Sequence, residues 1–229
     1  MEKIDFRKTL RALYAPSAKH FDLVDVPTMA FLKIDGQGDP NTAPAYANAI
    51  GWLYSLSYAM KFASKATLGK DYTVPPPEAL WWADDMRDFT AGNKSAWRWT
   101  QMIMVPEFVT RPMFEMALEK TRQKLGQPPA SLRLENFDEG LSVQILHIGS
   151  YADEAPTIAR LHAEFIPQNG LAENGLHHEI YLSDPRKTVP AKLKTIIRQS
   201  VRRLSSPSAR RSDRSLDLER PVGTGDASP

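Results

Sequence analysis

"LSVQILHIGSYADEAPTIARLHAEF", residues 141–165, decides how this chain folds, because an earlier stretch repeats its pattern. "MAFLKIDGQGDPNTAPAYANAIGWLY" (29–54) also runs through an apolar strand, a Gly-containing turn, an Ala-Pro pair and an apolar-periodic helix. Ala43-Pro44 and Ala155-Pro156 mark the register. A second pair of stretches extends the repeat. "VPEFVTRPMFEMALEKTRQK" begins at Val105 and "DPRKTVPAKLKTIIRQSVRR" at Asp184, with anchors Pro106, Thr110 and Pro112 in one copy and Pro185, Thr188 and Pro190 in the other. Thr followed two residues later by Pro predicts a helix start, since the hydroxyl can cap free amides and Pro is tolerated in the first turn.

The chain therefore reads as a duplication, each half running strand, helix, strand, strand and then a further helix. Strands are predicted near 21–25, 28–35, 78–84, 97–105, 132–136, 141–149 and 177–183, and helices near 44–65, 111–125, 154–166 and 188–203. This pattern predicts an α+β fold with antiparallel sheet. One body is expected over 1–204, with pseudo-repeats at about 20–126 and 131–204. The first half is longer because it carries "YTVPPPEALWWADDMRDFTAGNKSAWRW" (72–99), which holds every tryptophan except Trp52.

Composition narrows the function classes. The 229 residues are 42% hydrophobic and 24% charged, enough for a sizeable core, and the absence of cysteine excludes disulfides and thiolate metal sites. The first ten residues, "MEKIDFRKTL", lack the apolar core of a secretory signal, and no stretch nears the roughly 18 apolar residues of a membrane span. A cytoplasmic protein without a membrane partner is expected. From Arg198 onward seven arginines face four acids, so +3 of the +2 net charge lies there and the rest carries −1. A nearly neutral body lacks the concentrated basic face that nucleic acid needs. Residues 205–229, rich in Arg, Ser, Pro and Gly, are expected to be a disordered tail.

The chemical candidates centre on "HHEIYLSDP" (177–185). Neighbours on a strand point to opposite faces, so His177 and His178 cannot share one metal ion, and no metal site or cofactor is expected. Alternation puts His177, Glu179 and Tyr181 on one face, which is either solvated or turned into a pocket. In the Thr–Pro register Glu179 corresponds to Gln101, His177 to Trp99 and Tyr181 to Ile103. A carboxylate beside tryptophan would have a raised pKa and could act as a base. On the first long helix Tyr54, Tyr58 and Lys61 share a stripe that is either core packing or a cleft wall.

"FDLVDVPTMAFLKIDGQGDPN", "EALWWADDM", "WTQMIMVP", "LHIGSYADEAPTIARLH" and "HHEIYLSDPRKTVPAKLKTIIRQ" together resemble the GyrI-like small-molecule-binding superfamily, and more narrowly its cyclopropanoid cyclopropyl hydrolases. The resemblance covers about residues 3–200. It implies a pseudo-twofold pair of units with a ligand groove between the halves and a pocket glutamate on the last strand, here Glu179. The implied ligand is a flat hydrophobic small molecule, and the implied activity is opening the cyclopropane of DNA-alkylating antibiotics of the yatakemycin type within an aromatic cage. Tyr54, Tyr58, Trp82, Trp99 and Tyr151 are the cage candidates, with Trp81 the alternative to Trp82. Gln101, His177 and Tyr181 complete the binding set. Glu179 would deprotonate water, and Tyr54 would hold that water or the developing oxyanion. Sequestration without turnover is the other reading, and a monomer or weak dimer is expected.

Overall fold

A computed structural model describes residues 3–85, 87 and 92–204. Among the described residues ten strands form in chain order: β1 (Lys3–Ile4), β2 (Asp22–Val26), β3 (Met29–Gln37), β4 (Asp71–Tyr72), β5 (Pro77–Trp82), β6 (Arg98–Val105), β7 (Arg133–Phe137), β8 (Gly140–Ile148), β9 (Leu171–Tyr181) and β10 (Lys194–Arg203). The two-residue β1 and β4 pair with each other, and the other eight make one sheet in the order β2-β8-β10-β9-β5-β6-β3-β7. Every pairing in that sheet is antiparallel. The fold is α+β, as the element pattern predicts.

The order reads as a palindrome about the β9–β5 seam. β9 answers β5, β10 answers β6, β8 answers β3 and β2 answers β7. Each half also lends its edge strand to the other: β2 pairs with β8, and β7 with β3. This corrects the Thr–Pro register. The counterpart of β9 is β5, so Glu179 does not correspond to Gln101.

The predicted helix at 188–203 is also overturned. Only a short turn at Pro190–Lys192 forms, followed by β10. Leu193, Ile196, Ile197 and Val201 stand at helical spacing, which misled the reading. Both faces of β10 are buried between β8 and β9, so alternation left no trace in the sequence. Thr110 occupies the expected N-cap of α4 (Arg111–Leu125), but its side chain makes no capping hydrogen bond.

The sheet's two faces carry different loads. On one lies α3 (Pro44–Leu68), about 37 Å long at 1.5 Å per residue. It buries Ala49, Trp52, Leu53, Leu56 and Met60 against Leu32, Ile34, Trp99 and Ile103, with α4 packed alongside. Gly69 ends α3 in the left-handed conformation that a side chain would resist. The equivalent helix of the second half is broken. It runs as α5 (Ala155–Arg160), a π-helical turn (Leu161–Phe165) and a last turn, α6 (Ile166–Gln168). Pro167 has no N–H and its ring excludes a regular bond to the carbonyl four residues back. The Ile166 amide bonds instead to the Leu161 carbonyl.

The opposite face is covered by the N-terminal turns α1 (Phe6–Thr9) and α2 (Arg11–Tyr14). Beneath them sits a fully buried polar network. His178 lies 3.0 Å from Glu78 and 2.8 Å from Glu139, and Arg198 donates to Glu139, Gln144 and the Leu13 carbonyl. The Tyr14 hydroxyl donates to Glu78 at 3.0 Å. Two acids and two bases are thereby paired, as burial requires. Among the described residues no helix is long and apolar enough to cross a membrane. Residues 205–229, expected as a tail, lie outside the described residues.

Candidate functional site

The register of the central strands builds one row of side chains on the α3 face. Ile197, Glu179, Ala79, Gln101 and Ile34 stand side by side on β10, β9, β5, β6 and β3. The next row holds Gln199, His177, Trp81, Trp99 and Gly36. Ala79 is the small member. It separates Glu179 from Gln101 by two strand spacings, about 9.6 Å.

Glu179 is held at both oxygens. The Tyr181 hydroxyl donates to Oε2 at 2.7 Å, and His177 Nε2 lies 3.2 Å from Oε1. Trp81 Nε1–H in turn donates to the Tyr181 oxygen at 2.9 Å, fixing the phenol. The Glu179 side chain keeps 14% of its surface and that of His177 11%. Burial alone would raise the Glu179 pKa. The His177 and Tyr181 contacts and the nearby His178 outweigh it, so Glu179 sits below its ordinary value and is ionised. This reverses the expectation of a raised pKa: the strand neighbours supply donors, and hydrogen bonds to the charged form favour it.

A second acid faces it. Glu154, just ahead of α5, is buried, and burial followed by the Glu179 charge pushes its carboxyl up, so it holds the proton. Two neighbouring carboxyls with opposed shifts share one proton. The Glu154 signal in the sequence was slight: an acid beside the Ala155-Pro156 register mark.

Aromatic rings close the site. Tyr46, in the first turns of α3, stacks on Trp81 with centroids 6.2 Å apart and meets Trp99 edge-on at 5.2 Å. Burial, then the Glu179 charge, raises the Tyr46 pKa. Tyr151 meets Tyr181 edge-on at 5.7 Å, and burial, Glu154 and Glu179 push its phenol up to about 12. Trp81 was the alternative choice. The structure puts it on the Glu179 face and turns Trp82, paired with Arg98, to the other side. Trp99 is fully buried over Gly36, so it is a wall behind Tyr46 and not an open surface. Tyr54 and Tyr58 stack on each other at 6.5 Å, and Tyr58 continues to Phe62. Burial raises the Tyr54 pKa, with Tyr58, Asp184 and Arg186 as further influences. Tyr54 packs against the same core cluster as Tyr181, and it shares the influence of Asp184 with Tyr151. Tyr46 was missed in the sequence because nothing local shows that a helix's first turn overlies a strand more than fifty residues away.

Trp99 Nε1 and His177 Nδ1 are buried without a protein partner, while the Gln101 amide lies by the Tyr46 phenol, and Glu154 by Thr195 and Glu179. Each unmatched atom costs about 1–3 kcal/mol, so the two on one face mark where a ligand or water would supply partners. Two open clefts lie elsewhere. One of about 410 Å³ is lined by Gln37, Asp84, Asp85, Ala96 and Arg98, and one of about 160 Å³ lies beside Glu139 on the other face. On the carboxylate face Tyr46 lies against Trp81, Trp99 and Gln101. Among the described residues no group of three His, Cys, Asp or Glu could hold a metal ion.

The model of the GyrI-like small-molecule-binding domain matches residues 20–201. The chain belongs to the GyrI-like family. This small-molecule-binding domain is 39% identical to an uncharacterised conserved protein from Listeria innocua, covering 87% of this chain and all of that one with a TM-score of 0.78. It is 38% identical to a hydrolase from Listeria innocua, with the same coverage and a TM-score of 0.75. The C-terminal domain of EcmrR, at 13% identity and a TM-score of 0.52 over 81% of this chain and 98% of that one, shares the fold alone. No curated protein matches the chain.

Proposed function

We propose that this GyrI-like domain is a hydrolase that adds water to a flat, electrophilic ligand, the spirocyclopropane of a DNA-alkylating antibiotic. The observation that carries the reading is the ionised Glu179, tied to Tyr181 and His177 at the edge of an aromatic wall. The likeness to a hydrolase at 38% identity supports it.

The chemistry follows from the residues. A ligand that displaces Tyr46 would lie over Ala79, between Glu179 and the Gln101 amide. Water bound to Glu179 attacks the cyclopropane methylene, and its proton passes to Glu179. The breaking carbon–carbon bond sends its electron pair into the dienone, which becomes a phenolate. The Gln101 amide, freed from Tyr46 by the same displacement, would donate to that oxygen. Such general-base help is worth typically 10²–10⁴-fold.

Incubating the protein with a spirocyclopropane alkylator and weighing the products tests this. A product heavier by one water is expected, and recovery of unchanged ligand after prolonged contact refutes the hydrolase. A second reading has its own observation. A buried anion among aromatic rings also suits an organic cation held without turnover. Tight binding of a flat cation, with no reaction of any cyclopropane, would establish that one.

A further inference from the structure

The base in the proposed reaction must lose the proton it gains, yet Glu179 is nearly enclosed. A line of groups leads from it to the surface. His177 Nε2 is 3.2 Å from Glu179 Oε1, and the His177 Nδ1 is buried with no protein partner. The His162 ring lies next, its centroid 6.3 Å from that of His177 and tilted by 42°. His162 Nδ1 is 2.6 Å from Glu173 Oε1, and the Glu173 side chain is half exposed.

Two irregularities in the backbone put these groups in line. His162 stands on the π-helical turn, where the wider spiral shifts it relative to a regular helix, and such turns recur at functional sites. Between His177 and Glu173, β9 advances four residues while β10 advances only from Gln199 to Val201. This bulge keeps both side chains on one face while carrying Glu173 out to the rim beside His162.

We propose that His177 and His162 form a relay that carries protons between Glu179 and solvent by way of Glu173. The inference rests on the hydrolase reading. At rest His177 donates Nε2–H to ionised Glu179. Once the attacking water has protonated Glu179, exchange with solvent moves the ring hydrogen to Nδ1, and the freed Nε2 takes the Glu179 proton. Loss of Nδ1–H then restores the resting ring. His177 releases that Nδ1 proton across the gap, which one bridging water or a small ring rotation closes. His162 passes it to Glu173 and so to bulk water. No charge is left behind, and Glu179 is again ionised. Other titratable groups face the route. Glu154, Tyr46, Tyr151 and Tyr181 all lie about Glu179, but burial raises each of these pKa values, so they keep their protons and cannot substitute for the histidines. His178, on the far face, is committed to Glu78 and Glu139.

The test compares wild type, His162→Gln and Glu173→Gln on a spirocyclopropane substrate, in dilute buffer and with added imidazole. His162→Gln should lower kcat about tenfold with KM unchanged, less than removal of the base itself. Imidazole should restore the rate, which it would not do if His162 were merely structural. Glu173→Gln should give a smaller loss, also recovered by imidazole. Unchanged kcat in His162→Gln, at every buffer strength, overturns the relay. The histidine ring-nitrogen resonances are titrated in parallel without substrate. There Glu179→Gln should move the ring-nitrogen resonances of His162, a ring it does not touch. If wild type never turns over substrate but this coupling is present, the hydrolase falls and the proton path stands. If turnover is normal but coupling and buffer response are both absent, the relay alone falls.

Discussion

Replacing Glu179 by Gln separates a base from a mere anchor. The amide matches the carboxylate in size, and its oxygen can still accept from the Tyr181 hydroxyl, now 2.7 Å from Oε2. What is lost is the negative charge and the oxygen that takes a proton from water. If Glu179 is the base, kcat should fall by about 10²-fold or more, equivalent to about 2.7 kcal/mol of barrier, while KM for a neutral substrate hardly moves. The pH profile gives a second reading. Glu179 titrates below its ordinary value, so wild type should stay active through the usual carboxylate range and lose activity only on further acidification. That limb should vanish in the variant. Glu154 should respond as well. Part of the upward push on its carboxyl comes from the Glu179 charge, so the variant's Glu154 should release its proton at lower pH. Single-turnover kinetics with a neutral cyclopropane substrate, and the carboxyl stretch in the infrared, would read these changes. A kcat within about threefold of wild type removes Glu179 from the chemistry. If only flat cations then bind more weakly, its role is to anchor charge.

Three further outcomes follow from packing and charge. Trp99→Ala should cost about 3–5 kcal/mol of stability by chemical denaturation, because the indole is fully buried, and a loss below 1 kcal/mol would contradict its place in the core. Gly36→Ala should also destabilise, by about 1–3 kcal/mol, since an added Cβ would meet three Trp99 ring atoms at 2.2–2.7 Å. Burial opposes a charge on His178, but Glu139 and Glu78 outweigh it and raise its pKa from 6.5 to about 9. The stabilisation should therefore be fully present below about pH 6.5 and be lost as pH rises through about 9, an effect on the order of 3 kcal/mol. A denaturation midpoint that stays flat over that window in wild type, or falls equally in His178→Gln, would refute the assignment.

The sequence by itself determined most of the elements and their order. Ala43-Pro44 and Ala155-Pro156 located the two helix starts, and alternation in "HHEIYL" put His177, Glu179 and Tyr181 on one face, as they are. Such signals are local, set by backbone sterics and the two-residue strand repeat. The sequence failed where burial is symmetric or partners are distant. β10 looked like a helix because its Arg198 and Gln199 are buried against Glu139, Gln144 and the backbone of β9, which nothing near 198 reveals. The choice of Trp81 over Trp82 needed the β5–β6 register, because neighbouring residues carry no label for which face is inside. Glu154 and Tyr46 reach Glu179 only through the packing of the two half-sites onto one sheet. The charge state of the pair follows from that packing too, since a carboxyl's pKa is set by which groups surround it in space.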